Sequence, residues 1–327
     1  MNANALPTAA DVDEAAKVLN DVAIRTPLIA SAALDRLTGG RVLMKAEIFQ
    51  RTGSFKFRGA YNRLARVPAE VRKKGVVAFS SGNHAQGVAA AAQLLGMPAT
   101  IVMPADVPAL KRERTAALGA EIVLYDRERE DRDAIAARIA REKGATLVPP
   151  YDDPFVIAGQ GTVGREIADD LAARDLKPDI VVVPASGGGL AAGIALAIKA
   201  RYPQARIITA EPAGFDDHAR SFRAGKRERN ARLTGSICDA LLVGEPGKIT
   251  FEITRKLVGE GVAVSDDEVR AAMRFAFTEP KLVVEPGGAV ALAALLVGRI
   301  DVKGKTAVVV LSGGNVDAAM FAQVIAG

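Results

Sequence analysis

Short apolar runs rich in β-branched residues alternate with alanine-rich amphipathic stretches through almost all of this 327-residue chain. Val76-Val-Ala-Phe79, Ala99-Thr-Ile-Val-Met103, Glu121-Ile-Val-Leu124, Asp179-Ile-Val-Val-Val183, Arg206-Ile-Ile-Thr-Ala210 and Thr306-Ala-Val-Val-Val-Leu311 are apolar without alternation. A half-solvated strand would alternate, so these runs predict strands covered on both faces, the arrangement of parallel sheets with crossover helices. Between them lie helical patterns such as Ala85 to Leu95, where Val88, Ala91, Ala92 and Leu95 share a face. The pattern predicts an α/β chain. A first helix is expected near Ala10 to Ala23, ending before Arg25-Thr-Pro27 because proline disfavours helix in its predecessor.

The length suggests about two domains, and 49% hydrophobic content supplies their cores. Proline punctuates the rhythm at Pro149-Pro150. The expected division is a large unit of residues 1–50 plus 149–327 and a small mobile unit of 51–148, whose relative motion closes a site between them. No uncharged apolar run reaches the ~18 residues of a membrane span. Met1 to Pro7 lacks a signal-peptide pattern, so a cytoplasmic protein is expected. A single cysteine, Cys238, excludes an internal disulfide and a cysteine-built zinc cluster, and two histidines, His84 and His218, exclude a histidine-rich metal site. Net charge is +5, but both signs are mixed along the chain and tryptophan is absent. Nucleic-acid binders carry a one-sign stripe with interleaved aromatics; this balance suits small anionic ligands better.

Five segments carry chemistry. Thr52-Gly-Ser-Phe-Lys-Phe-Arg-Gly-Ala60 follows the short strand Leu43 to Glu47 and places Lys56 at a helix start, with Ser54 as the expected cap. Positive helix-end dipole near that amine favours its neutral, nucleophilic form. Ser80-Ser-Gly-Asn-His84 joins a strand to a helix and suits a carboxylate or phenolic oxygen, although an ordinary capped turn reads the same way. Pro184-Ala-Ser-Gly-Gly-Gly-Leu190 brings three glycine amides to a helix N-terminus, for a phosphate or simply a tight turn. Leu311-Ser-Gly-Gly-Asn315 repeats that design and offers the Ser312 hydroxyl where ligands collect in open α/β sheets. Glu211, with Asp216 and Asp217 close behind, reads as a divalent-cation site, and equally Asp216 or Asp217 reads as the cap of a helix toward Phe222.

Taken in order, Ser54 to Ala60, Ser80 to His84, Ala158 to Thr162, Ser186 to Leu190, Val284-Glu-Pro-Gly-Gly-Ala289 and Leu311 to Val316 resemble the fold-type II pyridoxal-phosphate enzymes. The nearest resemblance is to the serine/threonine dehydratase and serine racemase group, across nearly the whole chain. It implies a fold like the tryptophan synthase β chain, with two open, twisted, mostly parallel sheets flanked by helices, and a homodimer. It further implies that Lys56 condenses with the cofactor aldehyde, Phe55 packs on its ring and Asn83 bonds its phenolic oxygen. Ser186, Gly187, Gly188, Gly189 and Leu190 would hold the phosphate, and Ser312 the ring nitrogen with Glu285 nearby. Ser80, Ser81, Gly82, Asn83 and His84 would take the substrate carboxylate. Ser81 would deliver a proton opposite Lys56. Glu211, Asp217 and the Phe215 carbonyl would bind Mg²⁺ or Ca²⁺.

The activity so implied is dehydration and deamination of L-threonine or L-serine. A serine racemase, a dehydratase for 3-hydroxyaspartate, and a catalytically silent ligand-binding protein are the rivals. A dicarboxylate substrate calls for an extra cation, which the sequence does not single out. Two departures stand out: Ser186 replaces a common fourth glycine, and Cys238-Asp-Ala240 replaces Ala-Asp-Gly. Ending at Gly327, the chain is expected to be a stand-alone or catabolic enzyme without a regulatory domain.

Overall fold

A computed structural model describes residues 6–80, 82–107, 109–126 and 128–327. Strands β1 (Leu28–Ala30), β2 (Arg41–Ala46), β7 (Ile180–Pro184), β8 (Arg206–Pro212), β9 (Gly261–Val264) and β10 (Thr306–Leu311) form one sheet in the order β1-β2-β10-β7-β8-β9. Strands β3 (Val76–Phe79), β4 (Ala99–Pro104), β5 (Glu121–Tyr125) and β6 (Thr146–Leu147) form a second in the order β5-β4-β3-β6. Among the described residues β1–β2 is the one antiparallel strand pair, so the expected pair of mostly parallel sheets is what forms.

The continuous apolar runs have the predicted cause. In the large sheet Val42, Met44, Val182, Ile208 and Val309 enter one core, while Leu43, Val181, Val183, Ile207, Val308 and Val310 enter another on the opposite face. In the small sheet Val76, Ala78, Ile101 and Met103 face one helical layer, and Val77, Phe79 and Val102 the other. Strands β1, β6 and β9 were not foreseen. The first two have three and two residues, and β9 is largely half-buried, so none shows a long apolar run. The first helix is Ala9–Leu19, shorter than expected, and the chain turns at Asp21, which has φ 59°.

A buried ionic cluster fixes the helix Lys56–Ala65 to the large sheet. Arg58 Nε donates to Glu47 Oε2 at 2.8 Å and its Nη1 to Glu166 Oε1 at 2.6 Å. Lys45 Nζ donates to Glu166 Oε2 at 2.6 Å. Both carboxylates raise the Arg58 pKa against the desolvation that opposes it. Three elements, β2, the Lys56 helix and the helix Pro154–Ala172, therefore meet at one neutralised knot.

Candidate active site

Four helices begin around one cavity of about 150 Å³, and no side chain on their own N-caps bonds their first turns. They are Lys56–Ala65, Asn83–Leu94, Gly189–Arg201 and Pro286–Leu296, with N-caps Phe55, Gly82, Gly188 and Glu285. Elsewhere Ser31, Asp131, Asp153, Ser265 and Asp317 each cap their helix with a side-chain oxygen. Helix starts without a capping side chain from their own N-cap residue, and their converging positive ends, make the cavity an anion receptor.

Lys56 stands on its floor. Its Nζ donates to Pro150 O at 2.7 Å and lies 5.2 Å from the centroid of the Phe55 ring. Desolvation brings its pKa down to about 8, partly countered by the negative charge of Glu285. The neutral, nucleophilic form is therefore more accessible near neutral pH than for an ordinary lysine. The preceding turn is unusual: Thr52, a β-branched residue, holds φ 61°. Asn315 Nδ2 donates to Thr52 O at 2.7 Å and pins it. The expected Ser54 cap does not form. Phe55 occupies the N-cap position, and Ser54, paired as an isolated bridge with Gly313, leaves its Oγ without a partner.

Asn83 Nδ2 donates to Glu285 Oε1 at 2.6 Å, and Asn315 Nδ2 donates to Asn83 Oδ1 at 2.8 Å. Burial pushes Glu285 up to about 7, which Asn83 partly offsets. His84 is buried, its Nε2 donating to Val148 O at 2.9 Å. Desolvation, then the Lys56 charge, lowers its pKa to about 3, so it is neutral.

The glycine loop lies opposite, and Ser186, Gly187, Gly188, Gly189 and Leu190 all line the cavity. A Cβ on Gly187 would sit 2.3 Å from the Tyr151 ring, so the loop accepts no side chain there. Gly188 has φ +92°, and a Cβ would meet the His218 ring at 2.7 Å. Phe55, Ser80, Gly82, Asn83, His84, Glu285 and Ser312 line the same space, so the described parts of all the predicted cofactor and carboxylate segments converge. Ser81 lies outside the described residues.

Reasoning from sequence missed Tyr151, Gln160, Lys111, Arg132, Asp239 and Asn315, which also line it. Asn315 and Gln160 sit within quoted motifs without an assigned role. Cys238 does not line the cavity: it is buried in the core of the large sheet, where desolvation lifts its thiol to about 12. Its departure from the common alanine therefore leaves the cavity wall, made there by Asp239 and Ala240, untouched.

Glu211, Phe215 and Asp217 are fully buried and do not line this cavity, and the two carboxyl groups lie near enough to interact. Glu211 caps the helix Asp217–Ala224 across the chain, accepting from His218 N at 2.8 Å and Ala219 N at 2.9 Å. The expected capping by Asp216 or Asp217 does not form, and Glu211 takes that role instead. Asp217 Oδ1 accepts from Asn230 Nδ2 at 2.8 Å, and its Oδ2 has no partner. Desolvation raises both carboxyl pKa values, that of Glu211 further through the charge of Asp217. Among the described residues no three His, Cys, Asp or Glu side chains gather as a metal cluster, so a cation here would take two carboxylates and a carbonyl.

A family model for pyridoxal-phosphate dependent enzymes matches residues 19–313. The chain belongs to that family. It is 44% identical over 320 residues to an L-threonine ammonia-lyase of Thermotoga maritima, covering 97% of this chain and 78% of that protein. It is 42% identical to an L-threo-3-hydroxyaspartate ammonia-lyase of Saccharomyces cerevisiae, covering 98% and 97%. Among solved structures, maize serine racemase superposes with a TM-score of 0.92 at 37% identity, covering 98% of each chain. The chain is thus a fold-type II pyridoxal-phosphate enzyme of the ammonia-lyase group. The site fits the cofactor on its own evidence: a desolvated amine, a glycine cup at an uncapped helix start and a hydroxyl at Ser312 share one cavity.

Proposed function

We propose that this chain eliminates water from a β-hydroxy α-amino acid, L-threonine or L-serine, and releases ammonia and a 2-oxo acid. The observation that carries the reading is the desolvated Lys56 amine in one cavity with four uncapped helix N-termini. Pyridoxal phosphate, when bound, supplies the electron sink for the α-carbon. Lys56 would hold its aldehyde carbon, the amides of residues 187–190 its phosphate, Asn83 its phenolic oxygen and Ser312 its ring nitrogen, over the Phe55 ring. Lys56 Nζ, beside the α-carbon, would be the base that takes the α-proton. The Cα–H and Cβ–O bonds break, a C=C bond forms and water leaves. Hydrolysis of the released product returns one water and liberates ammonia. The first-turn amides at Gly82 to His84 hold the carboxylate, and neutral His84 adds no competing charge. A hydroxyl at Ser312 suits an elimination, where the negative charge leaves with the β-substituent rather than staying on the ring.

The separate small sheet supports a mobile unit of residues 51–148 closing on 1–50 plus 149–327. The unpartnered Asp217 Oδ2, buried beside Glu211, supports an activating or structural Mg²⁺ or Ca²⁺ held with the Phe215 carbonyl. A homodimer in the cytoplasm completes the reading; among the described residues no helix is long and apolar enough to cross a membrane.

The test is to load the purified chain with pyridoxal phosphate, supply L-threonine and then L-serine, and assay 2-oxo acid and D-amino acid together. Rapid 2-oxo acid supports the lyase. D-serine outpacing pyruvate would replace it with a racemase.

A further inference from the structure

Gly187 and Gly188 line the cavity, yet the groups that fix them lie behind it. Thr250 is fully buried and does not line the cavity. Its Oγ1 donates to Gly187 O at 2.6 Å, and Gly247 N donates to the same oxygen at 3.1 Å. In a planar trans peptide the carbonyl and the following N–H point in opposite directions. A Gly187 oxygen held on Thr250 therefore turns the Gly188 N–H away from Thr250, onto the side of the loop that faces the cavity. Gly188 itself is closely walled: a Cβ there would meet the His218 ring at 2.7 Å and Thr250 Cβ at 3.0 Å.

Thr250 is held in turn. Its helix, Lys248–Leu257, starts behind Gly247, an N-cap residue with no side chain to cap it. Asp152 supplies the cap from 96 positions away. Its Oδ2 accepts from Lys248 N at 2.9 Å, and its Oδ1 from Ile249 N at 2.9 Å and Thr250 N at 3.2 Å. The same helix is seated by aromatic contacts, because Phe251 stacks on Phe222 with 6.3 Å between centroids and Phe222 meets His218 at 5.7 Å. Tyr151, next to Asp152, sets its ring against Gly187, and Pro150 O accepts from Lys56 Nζ. The stretch 150–152 thus joins the Lys56 amine to the helix that orients the glycine loop.

We propose that Thr250 is a positioning residue for the cofactor phosphate: its hydroxyl fixes the Gly187–Gly188 peptide so that the Gly188 N–H faces the phosphate, and Asp152 holds Thr250 in place. The inference rests on the reading of residues 187–190 as the phosphate cup and adds the pair that shapes it. Thr250 acts through Gly187 alone, since its side chain stands outside the cavity. Without the hydroxyl, Gly187 O keeps the Gly247 amide as a donor, and a peptide flanked by two glycines has little steric resistance to rotation. The cost then falls on phosphate recognition and spares the aldehyde chemistry at Lys56.

The experiment titrates apo protein, prepared from the holoenzyme, with pyridoxal phosphate and with pyridoxal, which keeps the aldehyde but lacks the phosphate. The ratio of the two affinities is read from the yellow absorbance for wild type, Thr250→Val, Thr250→Ser and Asp152→Ala. Phosphorus NMR of the bound cofactor and a melting temperature accompany each. Wild type is expected to prefer the phosphorylated form. Thr250→Val, close in shape but without the hydroxyl, should lose about tenfold of that preference, the worth of one buried hydrogen bond, with pyridoxal affinity unchanged and the phosphorus resonance shifted. Thr250→Ser should keep the wild-type ratio and resonance. Asp152→Ala, half-buried and outside the cavity, should lose preference in the same direction, and it decides the matter if Thr250→Val does not fold. An unchanged ratio in the variants, equal losses on both ligands, or a Thr250→Ser ratio as low as that of Thr250→Val would overturn the positioning role and leave the cup standing. A wild type that binds pyridoxal as tightly as pyridoxal phosphate would overturn the cup and the positioning role together.

Discussion

Asn83 and Glu285, 202 positions apart, share a 2.6 Å hydrogen bond that ties the start of one helix to the N-cap of another across the cavity. Glu285 is held by burial near a pKa of about 7, and Asn83 is the donor that eases it. Gly313 leaves room for the pair, since a Cβ there would fall 2.2 Å from Glu285 Oε1. Asn83→Ala should therefore destabilise the apo protein by about 1–3 kcal/mol, the cost of orphaning a buried polar group. Gly313→Ala should do at least as much and also weaken cofactor binding. Urea unfolding and cofactor titration measure both; unchanged midpoints and affinities would show that the pair carries no weight.

The Lys56 amine sets a pH dependence with a definite sign. Its pKa of about 8 lies below the ordinary 10.5, so the neutral amine accumulates as pH rises through 8. Formation of yellow holoenzyme from apo protein and pyridoxal phosphate should accelerate with pH, with a midpoint near 8. Glu285→Gln removes a charge that raises this pKa and should move the midpoint lower. Stopped-flow absorbance across the pH range reads both, and a midpoint near the ordinary lysine value would refute the desolvated amine.

Arg58 neutralises two buried carboxylates, Glu47 and Glu166, in the helix that begins with Lys56. Arg58→Ala leaves them uncompensated and should cost about 3–5 kcal/mol. Arg58→Lys should recover only part, because it cannot donate to both at once. Thermal unfolding of the two variants ranks them, and equal stability to wild type would deny the knot its role.

The Glu211–Asp217 pair predicts the opposite pH trend from a carboxylate in a salt bridge. Both folded-state pKa values are raised, so the folded state binds more protons and stability falls as pH climbs through them. A bound divalent cation pulls those values down and removes the fall. Melting temperature should therefore decline from mild acid to neutral pH in chelator and recover with Mg²⁺ or Ca²⁺. Asp217→Asn should blunt both effects. A pH-independent melt unaffected by either ion would remove the cation from the proposal.

How far the molecule could be read beforehand follows from what each feature depends on. The six long apolar strands were legible because burial on two faces writes itself into consecutive residues, as at Val181, Val182 and Val183. Lys56, the glycine loop and Ser312 were legible because each stands at a strand-to-helix junction whose local chemistry is unusual. The Ser54 cap failed because the turn through Thr52 is set by Asn315, a contact 263 residues distant. Arg132 and Tyr151 were illegible for a related reason. One begins an ordinary-looking charged helix and the other follows a proline pair, and only the folding of the small sheet against the large one brings them to Lys56. The run Asp126 to Arg132 carries both signs, and nothing in it marks Arg132 as the member that lines the cavity.

The most direct test of the central claim is chemical trapping. Loaded protein is reduced with borohydride, digested and mapped by mass spectrometry for the pyridoxyl label. The account predicts one stoichiometric label, on Lys56, with no yellow colour in Lys56→Ala. Label on Lys111 or any other lysine, or none at all, would contradict it.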